Sequence, residues 1–341
     1  MKACVLRKDN ISLAGVEIVD MPDPEPGPDE VLIKVRAASL NYRDYLIVTD
    51  NYATAGVDHD VILLSDAAGE VAATGGNVSR FKTGDRVAGT FFQVWKNGPM
   101  TYHPPALGVP LEGVLAEYIT LHEDGVVAVP PSLSFEEAAS LPCAGVTAWN
   151  ATMVAGQSVR PGETVLSLGT GGVSLFAAQF AAAAGARLIL TSSSDEKLER
   201  ALSLFPGRDV MGINYNKIPD WEKEVMKITG GRGADHIIEL GGPGTLSRSY
   251  QALAFGGKIA LIGFRPDNTG DCNPGPLMQK DGRIHGVGVG NTSMFEEMNR
   301  AIEINRIKPH VDKVFPLAET VDAFRLLGSG KFVGKIAISI L

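Results

Sequence analysis

Cysteine is scarce in this sequence, and its placement excludes a disulfide-stabilised fold. Among 341 residues there are three cysteines, Cys4, Cys143 and Cys272, at unrelated spacings that give no disulfide framework. Structural disulfides persist mainly in oxidising compartments. We therefore expect a reduced, cytoplasmic protein.

Long apolar runs and an excess of basic residues are also absent. No stretch of about 18 uninterrupted apolar residues occurs, which argues against a transmembrane helix, and Met1–Arg7 lacks the apolar core of a secretory signal. The formal net charge is −8, from 31 Lys and Arg against 39 Asp and Glu, and no basic run stands out. Neither a membrane nor a nucleic acid is therefore an expected partner. The expected partner is a small-molecule substrate.

Residues 164–174, which read TVLSLGTGGVS, are the most informative stretch of the chain. A short apolar run leads into a glycine-rich turn, and a helix of small residues follows. In such a unit, backbone N–H groups and the positive end of the helix dipole face an anion, and glycine lets the backbone approach it. The residues predicted to contact the pyrophosphate of a dinucleotide are Gly169, Thr170, Gly171, Gly172 and Val173.

The motif is weak when taken alone, because Ser174 stands where G-x-G-x-x-G has its third glycine. A glycine run without a nucleotide is the alternative. The following residues favour the dinucleotide, because strand-like and helix-like segments alternate through short loops, as in a doubly wound parallel sheet (a Rossmann fold) of the α/β class. After the first helix the predicted segments are strand Leu188–Thr191, helix Asp195–Leu204, strand Val210–Ile213, helix Trp221–Ile228, strand Asp235–Leu240, helix Thr245–Leu253 and strand Lys258–Ile262.

The first 125 residues have a different pattern of apolar and turn residues. Short strand-like runs at Val31–Val35, Ala68–Thr74, Arg86–Gly89 and Ala116–Thr120 are separated by turns rich in glycine and proline, which predicts a β-rich, barrel-like domain. Residues 93–113 are predicted to form a long loop. The predicted elements beyond the parallel sheet are a helix over Met294–Asn305 and a last strand over Phe332–Ile340.

Ordered motifs along the whole chain resemble the medium-chain dehydrogenase/reductase superfamily, specifically its zinc-free, quinone oxidoreductase-like branch. The motifs are PEPGPDEVL at 24–32, SLNYRD at 39–44, DAAGEV at 66–71, GDRV at 84–87, LPCAGVTA at 141–148 and GK at 334–335. The resemblance implies a GroES-like catalytic domain of residues 1–144 and 291–341. It also implies an inserted Rossmann domain of residues 145–290 that binds NADP, with the active site in the cleft. A homodimer that pairs strands near Arg283–Val289 is implied as well.

Zinc-bearing members of the superfamily supply a cysteine, a histidine and a further cysteine or acid, because catalytic zinc needs three protein donors. By resemblance, the first position here is Asn41, the second is Ser65 and the third is Cys143. One thiol with an amide and a hydroxyl is a poor zinc site. The cysteines of the structural zinc lobe are missing too, since residues 86–131 contain none. We therefore expect no metal ligands in this chain.

The end of the second strand of the parallel sheet indicates which cofactor is bound. An NAD-preferring site usually has an acidic residue there, about 20 residues after the glycine turn, but this chain has Ser192, Ser193 and Ser194. Hydroxyls can donate to a 2′-phosphate that a carboxylate would repel. By resemblance, Lys197 and Tyr215 contact this phosphate, which predicts NADP. Alternatively, Ser194 caps a helix and Lys197 is a solvated side chain.

Without a metal, hydrogen-bond donors must stabilise the charge that develops on the substrate oxygen. By resemblance, the candidate catalytic residues are Asn41 and Thr147, beside the nicotinamide, and Tyr52, which matches the proton donor of zinc-free enoyl reductases. Packing in a cleft wall is the alternative for Tyr52. Asp44 is expected to hold its loop through local hydrogen bonds.

The first hypothesis for function is NADPH-dependent hydride transfer to a quinone or an α,β-unsaturated carbonyl. A zinc-independent alcohol dehydrogenase or carbonyl reductase is the second, and a non-catalytic, crystallin-like nucleotide-binding protein is the third. The aromatic residues Phe91, Phe92, Trp95 and Phe264 favour an apolar or aromatic acceptor, with packing in a core as the alternative.

Overall fold

The computed structural model describes residues 1–52, 57–263, 270 and 272–340, and these form two compact units. The first unit contains residues 1–146 and 290–341, and the second contains residues 147–289. Phe264 lies outside the described residues. No described helix combines the length and the apolar character needed to cross a membrane.

The strands of the first unit pair antiparallel, except for one parallel pair at the edge of a sheet. Its strands are β1 (Lys2–Leu6), β2 (Val16–Asp20), β3 (Glu30–Ser39), β4 (Val61–Ile62), β5 (Asp66–Thr74), β6 (Arg86–Gly89), β7 (Tyr118–His122), β8 (Val126–Ala128), β15 (Val311–Pro316) and β16 (Lys335–Ser339). One sheet has the order β15-β16-β3-β5-β6-β8, with β7 also paired to β3, and a small sheet has the order β2-β1-β4. The alternation of buried and half-buried residues along β3 is that of a strand with one face on a core.

The helices of the first unit are α1 (Tyr42–Val48), α2 (Phe135–Ala139), α9 (Thr292–Asn305) and α10 (Thr320–Ser329). A π-helical turn, Leu141–Gly145, lies between α2 and the residues of the second unit. Residues 93–113 contain no helix or named strand, as predicted, and a single bridge joins Phe92 to Ala106.

The second unit is a parallel sheet with the strand order β11-β10-β9-β12-β13-β14. Its strands are β9 (Thr164–Ser167), β10 (Arg187–Ser192), β11 (Val210–Asn214), β12 (Ala234–Glu239), β13 (Leu253–Leu261) and β14 (Arg283–Gly286). Counted from β9, this order is 3-2-1-4-5-6, which is that of a doubly wound dinucleotide-binding sheet. The predicted Rossmann fold is confirmed.

Five helices of the second unit connect these parallel strands, and one short helix precedes them in the described chain. They are α3 (Val146–Trp149, which begins at the last residue before the unit), α4 (Gly172–Ala183), α5 (Asp195–Leu202), α6 (Trp221–Ile228), α7 (Pro243–Ala252) and α8 (Gly275–Gln279). A second π-helical turn, Asn150–Val154, follows α3. Fully buried aliphatic residues such as Leu166, Ile189 and Ile237 form the core under the sheet. Parallel strands covered on both faces require such continuous apolar runs.

Candidate active site

The turn between β9 and α4 has the conformation that the glycine motif predicts. Gly169 has φ +88, a left-handed value that favours glycine, and its N–H donates to Thr191 Oγ1 at 3.1 Å. Gly171 precedes α4 without any side-chain cap, and a Cβ added to it would meet no heavy atom within 4 Å. The first backbone N–H groups of α4 therefore face open space, and these residues fit a phosphate group.

Ser174 explains how the turn works without a third glycine. Its buried hydroxyl donates to the carbonyl oxygen of Leu168 at 2.8 Å, and its own carbonyl accepts from Ser167 Oγ at 3.2 Å. The third glycine of the motif serves close packing of helix against strand. In this chain, a pair of hydrogen bonds ties the helix to the strand instead.

The four predicted 2′-phosphate residues lie at or after the carboxyl ends of the neighbouring strands β10 and β11. The N–H of Tyr215 donates to the carbonyl oxygen of Ser192 at 3.0 Å, which places the residue after β11 beside the end of β10. Ser193 is half-buried, and so is Lys197, whose pKa is lowered by burial. Ser194 caps α5 by accepting from the N–H of Lys197 at 3.4 Å, so the capping interpretation of Ser194 is correct.

The carboxylate of Asp195, at the start of α5, already has hydrogen-bond partners. Asp195 accepts from the ammonium of Lys217 and from Asn214 Nδ2 at 2.7 Å. Both contacts lower the pKa of Asp195, and the contact with Lys217 contributes more. Hydroxyls and an ammonium group therefore stand where an NAD-preferring site has an acidic residue.

In the first unit, three neighbouring strands have polar residues at the same edge of the sheet. Asn41 follows β3, Asp66 begins β5 and Lys335 begins β16, and β3 lies between the other two strands in the sheet. Because both partner strands are antiparallel to β3, the end of β3 lies beside the starts of β5 and β16. With Ser65 and Cys143, these residues form what we call the Lys335 cluster.

Hydrogen bonds connect the Lys335 cluster. Lys335 Nζ donates to Asn41 Oδ1 at 2.6 Å and to the carbonyl oxygen of Leu40 at 2.7 Å, and lies 3.9 Å from Asp66 Oδ2. Asp66 also accepts from Ser65 Oγ at 2.6 Å and from the N–H of Cys143 at 3.0 Å. Lys335 and Asp66 are 3% and 0% exposed, so the ammonium and the carboxylate are held away from bulk water.

Asp44 supports Asn41 from α1. Its Oδ2 accepts from the N–H of Asn41 at 2.7 Å, which is the local role expected of it. The side chain is buried, and burial raises its pKa to about 6. Its Oδ1 has no hydrogen-bond partner among the described residues.

Tyr52, four residues beyond the end of α1, packs on a guanidinium group. The Cζ atom of Arg43 lies 5.2 Å from the ring centroids of both Tyr52 and Phe91. Arg43 also donates to the carbonyl oxygens of Leu107, at 3.1 Å, and Val109, so it joins α1 to the loop over residues 93–113. Within the described part of the chain, no hydrogen bond joins Tyr52 to Asn41.

Two of the aromatic residues are packed in a core, which is the alternative that the sequence left open. Phe91 and Phe92 are buried and pack edge to face at 4.7 Å, so they belong to the interior of the first unit.

Sequence reasoning overlooked Arg43 and Lys335 as candidate site residues, although both lie in quoted motifs. Thr147 belongs to the second unit, where α3 holds it 3% exposed.

Family models match both units of the chain. Residues 27–131 match the alcohol dehydrogenase GroES-like domain, and residues 172–303 match the zinc-binding dehydrogenase family. A zinc-type alcohol dehydrogenase-like protein of Schizosaccharomyces pombe is 42% identical over 92% of this chain and 91% of its own. The chain belongs to the medium-chain dehydrogenase/reductase superfamily. It is an oxidoreductase.

Other relatives in the superfamily differ in activity. An acryloyl-coenzyme A reductase of Sulfurisphaera tokodaii is 28% identical over 95% of this chain and 96% of its own. An NAD-dependent alcohol dehydrogenase of Sulfolobus acidocaldarius is 30% identical, with 100% of both chains covered.

Solved structures superpose on the whole chain. A Sinorhizobium meliloti 1021 protein provisionally described as an alcohol dehydrogenase has a TM-score of 0.90 and 37% identity, with 100% of both chains covered. A 2-octenoyl-CoA carboxylase reductase, CinF, in complex with NADP and 2-octenoyl-CoA, has a TM-score of 0.87 and 26% identity, and 99% of this chain and 87% of CinF are covered. The quinone oxidoreductase of Coxiella burnetii has a TM-score of 0.78 and 27% identity, over 100% and 99% of the chains.

The Lys335 cluster does not fit zinc, although the matching family is named for it. Zinc needs several anionic or imidazole donors, whereas Asn41 and Ser65 offer an amide and a hydroxyl, and burial raises the pKa of the Cys143 thiol. Moreover, the Oδ1 atom of Asn41 already accepts from an ammonium group. Within the described residues, no group of three His, Cys, Asp or Glu side chains is placed to hold a metal ion.

Proposed function

We propose that this oxidoreductase uses NADPH to reduce a quinone or an α,β-unsaturated carbonyl, without a metal. The observation that carries the proposal is the chemistry of the Lys335 cluster. At the positions that match zinc ligands by resemblance, this chain has an amide supported by a buried ammonium, a hydroxyl and a thiol. Such a group can donate hydrogen bonds to a substrate oxygen, but it cannot act as a strong Lewis acid.

The second unit supports the choice of NADPH. Residues 169–173 would hold the pyrophosphate, because the left-handed Gly169 and the uncapped start of α4 leave backbone N–H groups open. Ser192, Ser193, Lys197 and Tyr215 would hold the 2′-phosphate, since they combine hydroxyls with an ammonium group. The CinF structure contains NADP, whereas the Sulfolobus acidocaldarius relative is named as NAD-dependent. The carboxylate-free end of β10 favours the phosphorylated form.

The donors of the first unit suit a conjugated acceptor. When bound, the reduced nicotinamide would supply a hydride to an electrophilic carbon. We propose that the Nδ2 group of Asn41 donates to the substrate oxygen and that the Tyr52 hydroxyl supplies a proton. In a quinone or an enone, the added charge is delocalised away from the attacked carbon, so hydrogen bonds without a metal are sufficient stabilisation. The acryloyl-coenzyme A reductase, the octenoyl-CoA enzyme and the quinone oxidoreductase are named for conjugated substrates.

An alcohol dehydrogenase or carbonyl reductase activity is the second candidate, favoured by the names of relatives that share 42% and 37% identity with this chain. A saturated ketone places the full negative charge on one oxygen, which demands stronger electrophilic assistance than an amide gives. Binding of nucleotide without turnover is the third candidate.

A substrate panel separates the three candidates. We expect NADPH oxidation with a quinone and with an enone such as 2-octenoyl-CoA, and none with the saturated ketone of matching length. Turnover of the ketone or of its alcohol would favour the second candidate. Tight NADPH binding without oxidation across the panel would favour the third.

The cofactor assignment has its own test. We expect Lys197→Ala to weaken NADPH binding about tenfold in a direct titration and to leave NADH binding unchanged, because the lost ammonium faces the 2′-phosphate. Lys223→Ala is the matched control, since that side chain is 72% exposed on α6. Equal effects on both nucleotides, or tighter binding of NADH by the unaltered protein, would refute the assignment.

We also propose that two copies of the chain pair through β14. This strand is at the edge of the parallel sheet and all four of its residues are exposed. An unpaired edge strand is a ready template for another strand. Sedimentation equilibrium should give a dimer mass, and a monomer at micromolar concentration would contradict this proposal.

A further inference from the structure

Lys335 is a buried cation that contacts a candidate catalytic side chain. Its Nζ atom donates at 2.6 Å to Asn41 Oδ1, and the residue is 3% exposed. We propose that Lys335 is a positioning residue that orients and polarises the Asn41 amide, so that its Nδ2 group donates to the oxygen of the substrate. This inference rests on the proposed function, because it assigns how the same site stabilises charge.

The contact with Lys335 determines which way the Asn41 amide is turned. An ammonium group has three donors and no acceptor, so only the oxygen of the amide can face it. The opposite end, Nδ2, therefore points away from Lys335, and its partner is Ser65 Oγ at 3.4 Å. That distance is long for an N–H···O bond. Nδ2 carries two hydrogens, and the second has no acceptor among the described residues, so the amide keeps donor capacity for a ligand.

The ammonium also changes the strength of the donor. A positive charge next to the amide oxygen draws electron density from nitrogen through the conjugated amide, which makes the N–H bonds more acidic. Chains of hydrogen bonds polarise one another in this sense, and the effect is larger where water is excluded. Because Asn41 is 9% exposed and Lys335 3%, little solvent screens the pair.

Asp66 supplies the counter-charge that lowers the energetic cost of burying the Lys335 ammonium. Its carboxylate lies 3.9 Å from Lys335 Nζ and is itself held by Ser65 Oγ at 2.6 Å and by the N–H of Cys143 at 3.0 Å. A buried ion requires both a counter-charge and hydrogen bonds. The pair is close to neutral as a whole, yet the ammonium, not the carboxylate, contacts the amide of Asn41.

A purely structural role is the competing explanation, because Lys335 Nζ also donates to the carbonyl oxygen of Leu40 at 2.7 Å and so joins β16 to the residues after β3. That role predicts a loss of stability with an unchanged rate in the molecules that fold. The positioning role predicts a loss of kcat that depends on Asn41 being present.

A double-mutant cycle with Asn41 distinguishes the two roles. We expect Lys335→Met to lower kcat for enone reduction by about tenfold to a hundredfold, less than the roughly hundredfold to thousandfold cost of removing an oxyanion donor itself, with little change in the Kd of NADPH. Lys335→Arg keeps the charge and should recover most of this loss. In an Asn41→Ala background, Lys335→Met should have no further effect on kcat. Lys331→Met, at an exposed lysine, is the control. Multiplicative losses in the double variant, or an unchanged kcat for Lys335→Met, would overturn the proposal.

A measurement without substrate keeps this inference separate from the proposed function. The Asn41 side-chain amide gives a pair of ¹⁵N–¹H signals, assigned by their loss in Asn41→Asp. Polarisation by Lys335 should shift these signals downfield, and Lys335→Met should return them to the position of a free amide. Should the protein reduce no enone while the signals shift, the proposed function fails and the polarised amide stands. Signals that do not move would refute the role of Lys335.

Discussion

The clearest stability prediction concerns Lys258, whose buried ammonium holds the chain just after Thr147. Lys258 Nζ donates to the carbonyl oxygens of Ala151, Ala155 and Gln157 at 2.9, 2.8 and 2.6 Å. The residue is 2% exposed and lies on β13. These carbonyls belong to the π-helical turn after α3 and the residues that follow it, so Lys258 joins this helical segment to the sheet. We expect Lys258→Met to destabilise the second unit.

The magnitude follows from two opposing effects. Burial lowers the pKa of Lys258 from 10.5 to about 8, and at about 1.4 kcal/mol per pKa unit the charged form costs about 3.5 kcal/mol, which methionine removes. Methionine also removes three hydrogen bonds from a charged donor, each contributing about 1.5–3 kcal/mol. Subtracting this cost from the contribution of the hydrogen bonds leaves a net loss of about 1–5.5 kcal/mol at pH 7. Because a neutral amine keeps two N–H donors, much of the hydrogen-bond contribution is shared by both protonation states, and the pKa of Lys258 stays lowered.

The sign of the pH dependence follows from the same shift in pKa. Between about pH 8 and 10.5 the unfolded chain binds a proton on Lys258 that the folded chain has released, so the stability of the unaltered protein rises with pH there. Lys258→Met lacks this contribution. The difference in stability between the two proteins should therefore be constant near pH 7 and widen by about 2 kcal/mol by pH 10. The neighbouring His236 does not interfere, since burial lowers its pKa from 6.5, below this range.

Urea unfolding followed by tryptophan fluorescence measures this difference. In a Trp95→Phe background the remaining tryptophans, Trp149 and Trp221, both lie in the second unit and report on it alone. Lys223→Met, at a side chain that is 72% exposed, is the control for a changed lysine and should stay within about 0.5 kcal/mol. The reasoning would be refuted if the difference in free energy of unfolding between the parent and Lys258→Met narrowed or stayed constant from pH 7 to pH 10.

Two further predictions concern the first unit. If Tyr52 is the proton donor, Tyr52→Phe should slow enone reduction at least about tenfold, while the exposed Tyr102→Phe leaves the rate unchanged; equal rates would remove Tyr52 from the mechanism. Burial raises the pKa of Asp44 to about 6 despite the nearby charges of Arg43 and Lys335, so the folded chain binds the extra proton and stability falls as pH rises from about 4 to 6. Asp44→Asn should therefore be more stable than the parent by up to about 3 kcal/mol at pH 8 and equal to it near pH 3.5, as urea unfolding at the two pH values can show.

Hydrophobic periodicity and turn residues sufficed to predict much of the fold. Strand Arg86–Gly89 and helix Trp221–Ile228 have the predicted bounds, because polar or glycine residues flank each apolar pattern. The start of β13 was placed too late, at Lys258. The strand begins at Leu253 and passes through Gly256 and Gly257, which read as a break in the sequence, and its pairing with β12 is irregular at this point.

Local capping signals could have identified an element that was missed. Helix α1 is seven residues long, too short for a periodic pattern, yet Asn41 and Asp44 stand at the spacing of a capping box. Asp44 does accept a hydrogen bond from the N–H of Asn41. The site contacts of Lys335 had no such local signal, because its partner Asn41 lies 294 residues away in the sequence. Strand order decides that contact, and strand order is a property of the whole sheet.

The electrostatics of the Lys335 cluster give a physical reason for the absence of metal donors. Asp66 is 0% exposed, and a buried carboxylate needs a cation or several hydrogen bonds. In a site with zinc, the metal can provide the positive charge, but Asn41, Ser65 and the protonated Cys143 cannot hold one. Lys335 provides that charge here, 3.9 Å from the carboxylate and 2.6 Å from the amide oxygen. The neutral donors and the buried ammonium are therefore parts of one arrangement, in which a lysine fixed to the sheet places positive charge next to a hydrogen-bond donor.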